Sequence, residues 1–484
     1  MDIINIVVDY TNAILWNYVL LYGLLAVGVF FTIRLGFIQF RYFGQCFSVL
    51  LKSRHEDRNG ISPFQALCTS LASRVGTGNI AGVAVALTLG GPGAIFWMWM
   101  VALVGMATAY AESALAQLYK VEDDEGQFRG GPAFYMAAGL KSPLLGHIFA
   151  IALIFAFGVV FSAVQSNSIA DAMYSAFDMP EIVTGAVLVV AAGLVIFGGL
   201  RKIAHFAEVV VPFMAIAYVV IAFGILAVNF EQVPGVLWSI VAHAFGLEEA
   251  VGGVTGGVMA ALLNGVRRGL YSNEAGMGSA PNVAASAVPD PHHPASQGFV
   301  QALGVFIDTI VICTATALII LLSGIYDPTT GVTGISLTQS AAEAHVGDFG
   351  VYFIAVAILF FAFTSIVANY SYAENAMIYL EHGWKGGLTV LRILSLAMVF
   401  WGSLQTVDTV FNAADAAMAV MATINLIAIV LLAPKVSLIT KDYIKQLKEG
   451  KEPLFDVAEH PELSEGVDAT IWSKERGEEA QKRY

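Results

Sequence analysis

Leu71-Ala72-Ser73-Arg74-Val75-Gly76-Thr77-Gly78-Asn79-Ile80-Ala81-Gly82 sits inside an otherwise apolar run from about Phe64 to Leu89. Such a run is long enough to cross a bilayer, since ~20 helical residues cover the ~30 Å hydrocarbon core. Its centre nevertheless carries Gly76, Gly78, the hydroxyl of Thr77, the amide of Asn79 and the guanidinium of Arg74. In lipid every backbone polar group needs a partner, so non-helical backbone survives at membrane depth only around a protein-lined cavity. The stretch therefore predicts a broken transmembrane helix that holds a small polar ligand. Glycines alone would serve close helix packing equally well. Thr77 and Asn79 beside them turn the reading toward a site.

Composition agrees with a chain built for the membrane. Hydrophobic residues make up 57% of the 484 and charged residues 13%, which excludes a soluble globular protein and predicts an all-α polytopic membrane protein. Cys46, Cys68 and Cys313 have no CxxC spacing, so neither a disulfide framework nor a zinc site is expected. The opening MDIINIVVDY has no basic n-region, and the first span is expected to stay as an anchor rather than be cleaved. There is no P-loop and no HExxH motif, which leaves ATP-driven pumping and zinc proteolysis without support. The lipid bilayer is the expected partner surface, and nucleic acid is not.

Working outward, apolar stretches near 14–33, 64–88, 93–118, 147–175, 182–199, 206–228, 250–270, 298–323, 349–379, 386–402 and 407–433 predict about eleven spans. Lysines and arginines test that count, because short cytoplasmic loops are enriched in them. They fall in the loops after spans 1, 3, 5, 7 and 9, at positions such as Arg41, Lys120, Arg201, Arg267 and Lys385. The intervening loops contain neither residue. This alternation places the N-terminus outside the cell membrane and the C-terminal tail in the cytoplasm. Span 7 opens with Gly252, Gly253, Gly256 and Gly257 around Thr255, a second glycine-interrupted segment. Setting span 1 aside leaves two sets of five spans, each beginning with a broken helix. Paired interruptions of this kind point to an inverted-repeat transporter with its site at the midplane. The predicted organisation is an extra N-terminal span and basic loop (1–63), a first repeat (64–228), an amphipathic interfacial segment (229–249), a second repeat (250–433) and a charged, solvated tail (434–484). The connection 271–297 reads as a long cytoplasmic loop.

Gly90-Gly91-Pro92-Gly93-Ala94-Ile95-Phe96-Trp97-Met98-Trp99-Met100 resembles the signature of the alanine/glycine:cation symporter (sodium:alanine symporter) family. Arg74-Val75-Gly76-Thr77-Gly78-Asn79, Arg268-Gly269-Leu270-Tyr271-Ser272-Asn273-Glu274-Ala275-Gly276-Met277-Gly278-Ser279 and Phe306-Ile307-Asp308-Thr309 extend the resemblance. It implies sodium-driven uptake of small neutral amino acids. It also implies a leucine-transporter (LeuT-like) 5+5 inverted repeat with one added N-terminal span, the number reached independently above.

A zwitterion at mid-membrane needs donors for its carboxylate and acceptors for its ammonium, and broken helices offer both. Gly76, Thr77, Gly78 and Asn79 are the first candidates for the carboxylate, with Gly252, Gly253 and Thr255 facing them. Gln165, an amide deep in an apolar span, is a ligand contact by the resemblance, although it could equally join two helices. The resemblance further implies a sodium cage from the carbonyls of Ala72 and Val75 and the adjacent hydroxyls of Thr364 and Ser365. The competing use of those hydroxyls is a bond back to the preceding turn. Many members of the family carry tryptophan where this chain has Asn369, which opens the question of a larger or more polar substrate. Intramembrane charges are functional candidates by default, each costing ~3 kcal/mol or more at the bilayer centre. Arg74, Glu112, Asp308, Asp408 and Asp415 qualify, and Arg74 with Asp308 is the candidate gate pair. Sodium is the expected coupling ion, with no organic cofactor. A proton carried by Asp308 or Glu112 is the alternative, and a non-transporting amino-acid sensor is a further one.

Overall fold

The computed structural model describes residues 2–52, 59–247, 254–380 and 386–482. A helix, α1, runs without interruption through Asp2–Ile14, a π-helical stretch Leu15–Leu20 and Leu21–Arg34, longer at its start than the predicted first span. After two short helical segments, Ile38–Arg41 and Phe43–Lys52, comes the quoted stretch, and it divides into α2 (Pro63–Arg74) and α3 (Gly78–Gly90). Ser62 caps α2 through a reciprocal capping box with Gln65, and Pro63 occupies the first turn, where its missing N–H costs nothing. The helix ends because Val75 turns to φ −78, ψ 85. Gly76 follows where the Oγ of Ser365 and the Oε1 of Gln165 occupy the space a Cβ would need. Thr77 then returns to helical angles.

The chain continues through α4 (Gly93–Leu118), a two-stranded antiparallel hairpin of β1 (Val121–Glu122) and β2 (Phe128–Arg129), and α5 (Pro143–Phe177). After these come α6 (Glu181–Ile196), α7 (Gly199–Val228) and α8 (Val233–Ala244). The second half holds α9 (Val254–Asn273), α10 (Pro281–Ala285), α11 (Ala295–Leu322), α12 (Gly334–Val346), α13 (Asp348–Leu380), α14 (Gly387–Ser403), α15 (Val407–Leu431) and α16 (Ala433–Lys448). Among the described residues α1, α4, α5, α7, α11, α13 and α15 are long and apolar enough to cross a membrane, and α3, α6, α8 and α14 are shorter apolar helices.

Packing follows from which faces are apolar. The helix α4 lies at the centre of one group with α9, α11 and α1, and α5 packs with α13 and α14 in another. Small residues let these helices approach: Gly105 meets Ala275, and Gly298 meets the ring of Tyr110. On α7, by contrast, Val209, Phe213, Ile216, Val220 and Phe223 are exposed at helical spacing, a stripe suited to lipid.

Two expectations change. The interruption that the described residues show in the second half lies at 274–280, after α9. Gly256 and Gly257 are inside the helix, while Glu274, Gly276 and Gly278 take φ values of +57, +86 and +82. A helix tolerates glycine, but left-handed backbone at successive positions ends it. Gly252 and Gly253 lie outside the described residues, as does the Thr255 side chain. Residues 271–297, expected as a long cytoplasmic loop, instead complete α9 as far as Asn273 and are then largely buried around the short α10.

The tail departs furthest from its expected solvated form. Phe455, Leu463, Ile471 and Trp472 are fully buried where the tail folds back over the hairpin. Trp472 donates its indole N–H to the Gln117 carbonyl at 3.3 Å, and Lys120 lies over the rings of Phe128 and Trp472. The Phe455 N–H donates to the His292 carbonyl at 2.9 Å. Charge count hid this apolar minority, which buries against the hairpin and the 290s while the polar residues between stay outside.

Candidate functional site

The first break exposes backbone donors, and they are met by one side chain from another helix and one from the first turn of α3. Gln165, on α5, accepts at Oε1 from the N–H of Thr77 at 3.0 Å and from its hydroxyl at 2.8 Å. Asn79 accepts at Oδ1 from the N–H of Gly76 at 3.0 Å. These are the orphan donors of a helix N-terminus, and each is held by a neutral amide carbonyl. An amino-acid carboxylate carries the same kind of acceptor oxygen with more charge. Gly78 lies against Tyr271, whose ring stacks on Phe161 with centroids 5.0 Å apart and also approaches Phe411. The structure thus brings Gly76, Thr77, Gly78, Asn79 and Gln165 together and adds an aromatic wall.

Asn369 is buried on the other side of the break. Its Oδ1 is 2.7 Å from the Ser73 hydroxyl, so it reaches the last turn of α2 rather than the Thr77 donors. The Nδ2 of Asn369 has no hydrogen-bond partner among the described residues.

Of the four cation-cage residues, two meet directly. Ser365 donates to the Ala72 carbonyl at 2.8 Å and shares the Phe361 carbonyl within its own helix. Thr364 bonds back to Phe361 at 2.9 Å, the use that competes with a ligand role. Val75 contributes the non-helical residue that ends α2. One hydroxyl thus stands on the Ala72 carbonyl at the break, and the other is turned back into its own helix.

The proposed ion pair between Arg74 and Asp308 does not form. Arg74 points to α11, where it donates to the Gln301 carbonyl at 3.3 Å against Gly304. Asp308 accepts instead from Asn79 at 2.6 Å, Ser272 at 2.8 Å and Thr309 at 2.7 Å. Three donors satisfy that carboxylate without a cation in contact, so nothing draws the guanidinium across. Asp308 is consequently tied to the first break itself, through Asn79.

With this geometry in hand, residues 1–457 match the Sodium:alanine symporter family. The chain belongs to that family. It is 48% identical over 474 residues to the amino-acid carrier protein AlsT of Bacillus subtilis, covering 98% of this chain and 99% of that protein. It is 47% identical over 455 residues to the probable sodium/glutamine symporter GlnT of the same organism, covering 94% of each. Among solved structures, a manganese transporter from Eremococcus coleocola aligns with a TM-score of 0.50 at 14% identity over 78% of both chains, a likeness of fold alone. As a member of the sodium:alanine symporter family the chain is a multi-pass membrane transporter, an amino-acid symporter by kinship and not an enzyme.

In this symporter the second break is pinned by carboxylates. Glu112, on α4, accepts from the N–H of Gly276 at 3.1 Å and from Asn425 at 2.8 Å. Glu274 lies 2.6 Å from the Ser73 hydroxyl and accepts from Ser279 at 2.5 Å. It therefore joins the end of α2 to the turn before α10. Asp415 pairs with Arg268 and, at 3.5 Å, with Arg267. Glu274 had received no role from its sequence, although it stands inside a quoted motif. A carboxylate next to Asn273 and Ala275 at membrane depth was the available signal.

Proposed function

We propose that this chain is a sodium-coupled symporter that imports small neutral amino acids of the alanine/glycine type by alternating access. The observation that carries the reading is Gln165 Oε1 on both donors of Thr77, at the opening of a half-helix whose dipole favours a carboxylate there. In this reading the substrate carboxylate takes over those donors and Gln165 swings aside to contact the ligand. Gly76, Gly78 and Asn79 complete the cradle, and Gly252, Gly253 and Thr255 approach from the second repeat. Sodium is held by the Ala72 and Val75 carbonyls with the hydroxyls of Thr364 and Ser365. Ser365 releases its bond to Ala72 as the ion enters. Ordering the break in this way makes sodium and amino acid bind with positive coupling.

The same reading assigns eleven crossings: α1, then α2 with α3, α4, α5, α6 and α7, then α9 with α10, α11, α13, α14 and α15. The two sets of five form the inverted repeat. The N-terminus lies outside and the tail in the cytoplasm of the cell membrane, following the lysine and arginine asymmetry.

Radiolabelled alanine uptake into proteoliposomes, under an inward sodium gradient or with potassium in its place, tests the proposal. Sodium-dependent accumulation is expected, and loss of it in Asn79→Ala and Thr364→Ala. Accumulation indifferent to sodium but abolished when a proton gradient is dissipated would replace the cation by a proton. Binding without accumulation would make the protein a sensor. A second reading, a larger amide-bearing substrate such as glutamine, has a specific support: Asn369 is buried with a free Nδ2, and GlnT is among the relatives. Competition of glutamine against labelled alanine separates the two.

A further inference from the structure

The Ala72 carbonyl is the first that α2 sets free. The helical ladder closes for the last time between the Val75 N–H and the Leu71 carbonyl, at 2.7 Å. The next N–H, that of Gly76, goes to Asn79 Oδ1 instead, and the Ala72 oxygen is met by the Ser365 hydroxyl at 2.8 Å. A carbonyl at a helix end is placed by what surrounds it rather than by its own ladder. Ser73, the residue after it, is gripped from two sides. Its hydroxyl lies 2.6 Å from Glu274 Oε1 and 2.7 Å from Asn369 Oδ1, and all three residues are buried. Asn369 stands one helical turn beyond Ser365 on the same face of α13, so that face holds Ala72 and Ser73 together. Glu274 reaches Ser73 from the second break. It does so from left-handed backbone at φ +57, which a residue other than glycine seldom adopts. Its Oε2 accepts from Ser279 at 2.5 Å, so both oxygens of the carboxyl are fixed. A carboxyl at membrane depth, aimed by a disfavoured turn at one hydroxyl, marks function rather than packing.

We propose that Glu274 is a positioning residue for the cation. Through Ser73 it sets the Ala72 carbonyl against Ser365, so that the second break governs how well the first one holds sodium. The assignment rests on the symporter reading given above and adds a route by which the two halves of the chain act on one ion. Glu274 touches neither the sodium nor the amino acid, and its whole effect passes through the Ser73 hydroxyl. Ligand oxygens must be held to within about 0.5 Å of their working positions, which makes such a support matter.

The test separates sodium affinity from alanine affinity. Ser73→Ala deletes the shared hydroxyl and leaves every charge in place. The sodium concentration for half-maximal alanine uptake into proteoliposomes is expected to rise about tenfold, the lower end of what loss of a ligand's supporting partner costs. Half-saturation for alanine, measured at saturating sodium, is expected to hold. The same shift should appear without transport, in the sodium concentration needed to raise the unfolding midpoint of the detergent-purified protein. Glu274→Ala is expected to match Ser73→Ala, whereas Glu274→Gln keeps a group that can bond to Ser73 and should stay near wild type. A Ser73→Ala protein with a lowered midpoint but unmoved sodium dependence would overturn the proposal, since the contact would then serve stability alone. An equal rise in the alanine value at saturating sodium would overturn it too, because the residues would then act on the amino-acid cradle. Glu274→Gln as impaired as Glu274→Ala would assign the effect to charge and not to positioning. Wild type whose uptake and unfolding both ignore sodium would fail the symporter reading, a different outcome from all of these.

Discussion

The two breaks in this protein use the same backbone device with opposite chemistry around it. At 75–77 the freed N–H groups of Gly76 and Thr77 are held by the amide carbonyls of Asn79 and Gln165. At 274–280 the N–H of Gly276 is held by the carboxylate of Glu112, and Glu274 is anchored to Ser73 and Ser279. Neutral amides give up a backbone donor to a stronger acceptor at modest cost. Glu112 is held on both sides instead, since Asn425 donates to one of its oxygens while Gly276 donates to the other. The first break is therefore built to exchange partners, and the second to stay closed around its own.

That contrast predicts a division between folding and transport. Its largest expected effect is on Glu112→Ala, which strands the Gly276 N–H and one of the two Asn425 amide protons in the interior at roughly 1–3 kcal/mol for each. Thermal unfolding in detergent should show a strong loss of stability. A variant of normal stability that fails only in transport would erase the distinction. Gln165→Ala also frees the Thr77 donors, but its main effect is expected on transport, with uptake falling ~10–100-fold and a smaller drop in the unfolding midpoint than Glu112→Ala gives. Here the measurement is initial uptake rate on monodisperse protein.

Ser365→Ala removes a hydroxyl that touches the Ala72 carbonyl, and a several-fold rise in the sodium concentration for half-maximal uptake is expected. Unchanged sodium dependence would remove Ser365 from the cage.

The smallest effect lies outside the membrane, where the tail covers His292 and His293. Burial, reinforced by the nearby charge of Lys120, pushes His292 from 6.5 down to about 3, and burial lowers His293 as well. Burial tends to raise Asp442, but its hydrogen bond with His293 and the charges of His293 and His460 outweigh that and leave it low. An imidazole depressed in the docked state favours docking fully above pH 6.5. That contribution is lost as the pH falls from 6.5 toward 3, because the released tail binds protons more readily. Trp472 fluorescence between pH 7 and 4 should report growing exposure. A flat profile would mean that the apolar contacts alone hold the strap.

Much of this was legible in the sequence because membrane burial forces backbone and side chain to declare themselves together. A glycine pair beside Thr77 and Asn79 in an apolar run allows few physical outcomes, and α2 and α3 part within that stretch. Gln165 was legible for the same reason, as an amide where lipid permits none unpaired. Of the glycines at 252–257, Gly256 and Gly257 lie inside α9, since helices of a membrane protein also use glycine for close approach, while Gly252 and Gly253 lie outside the described residues. Their counterparts at 276 and 278 were hidden in what read as a loop.

The sequence by itself determined the membrane class, the family, the position of the first break and the identity of most groups around it. Hydropathy, glycine placement and isolated polar residues are local quantities, and a bilayer leaves them little freedom. Only the tertiary structure decided partners. It gave Asp308 to Asn79 rather than to Arg74, set Glu112 on the second break, brought Glu274 to Ser73, and folded a charged tail onto the hairpin. Each of these joins residues tens to hundreds of positions apart. Their energies depend on distance and burial that no single stretch of chain contains.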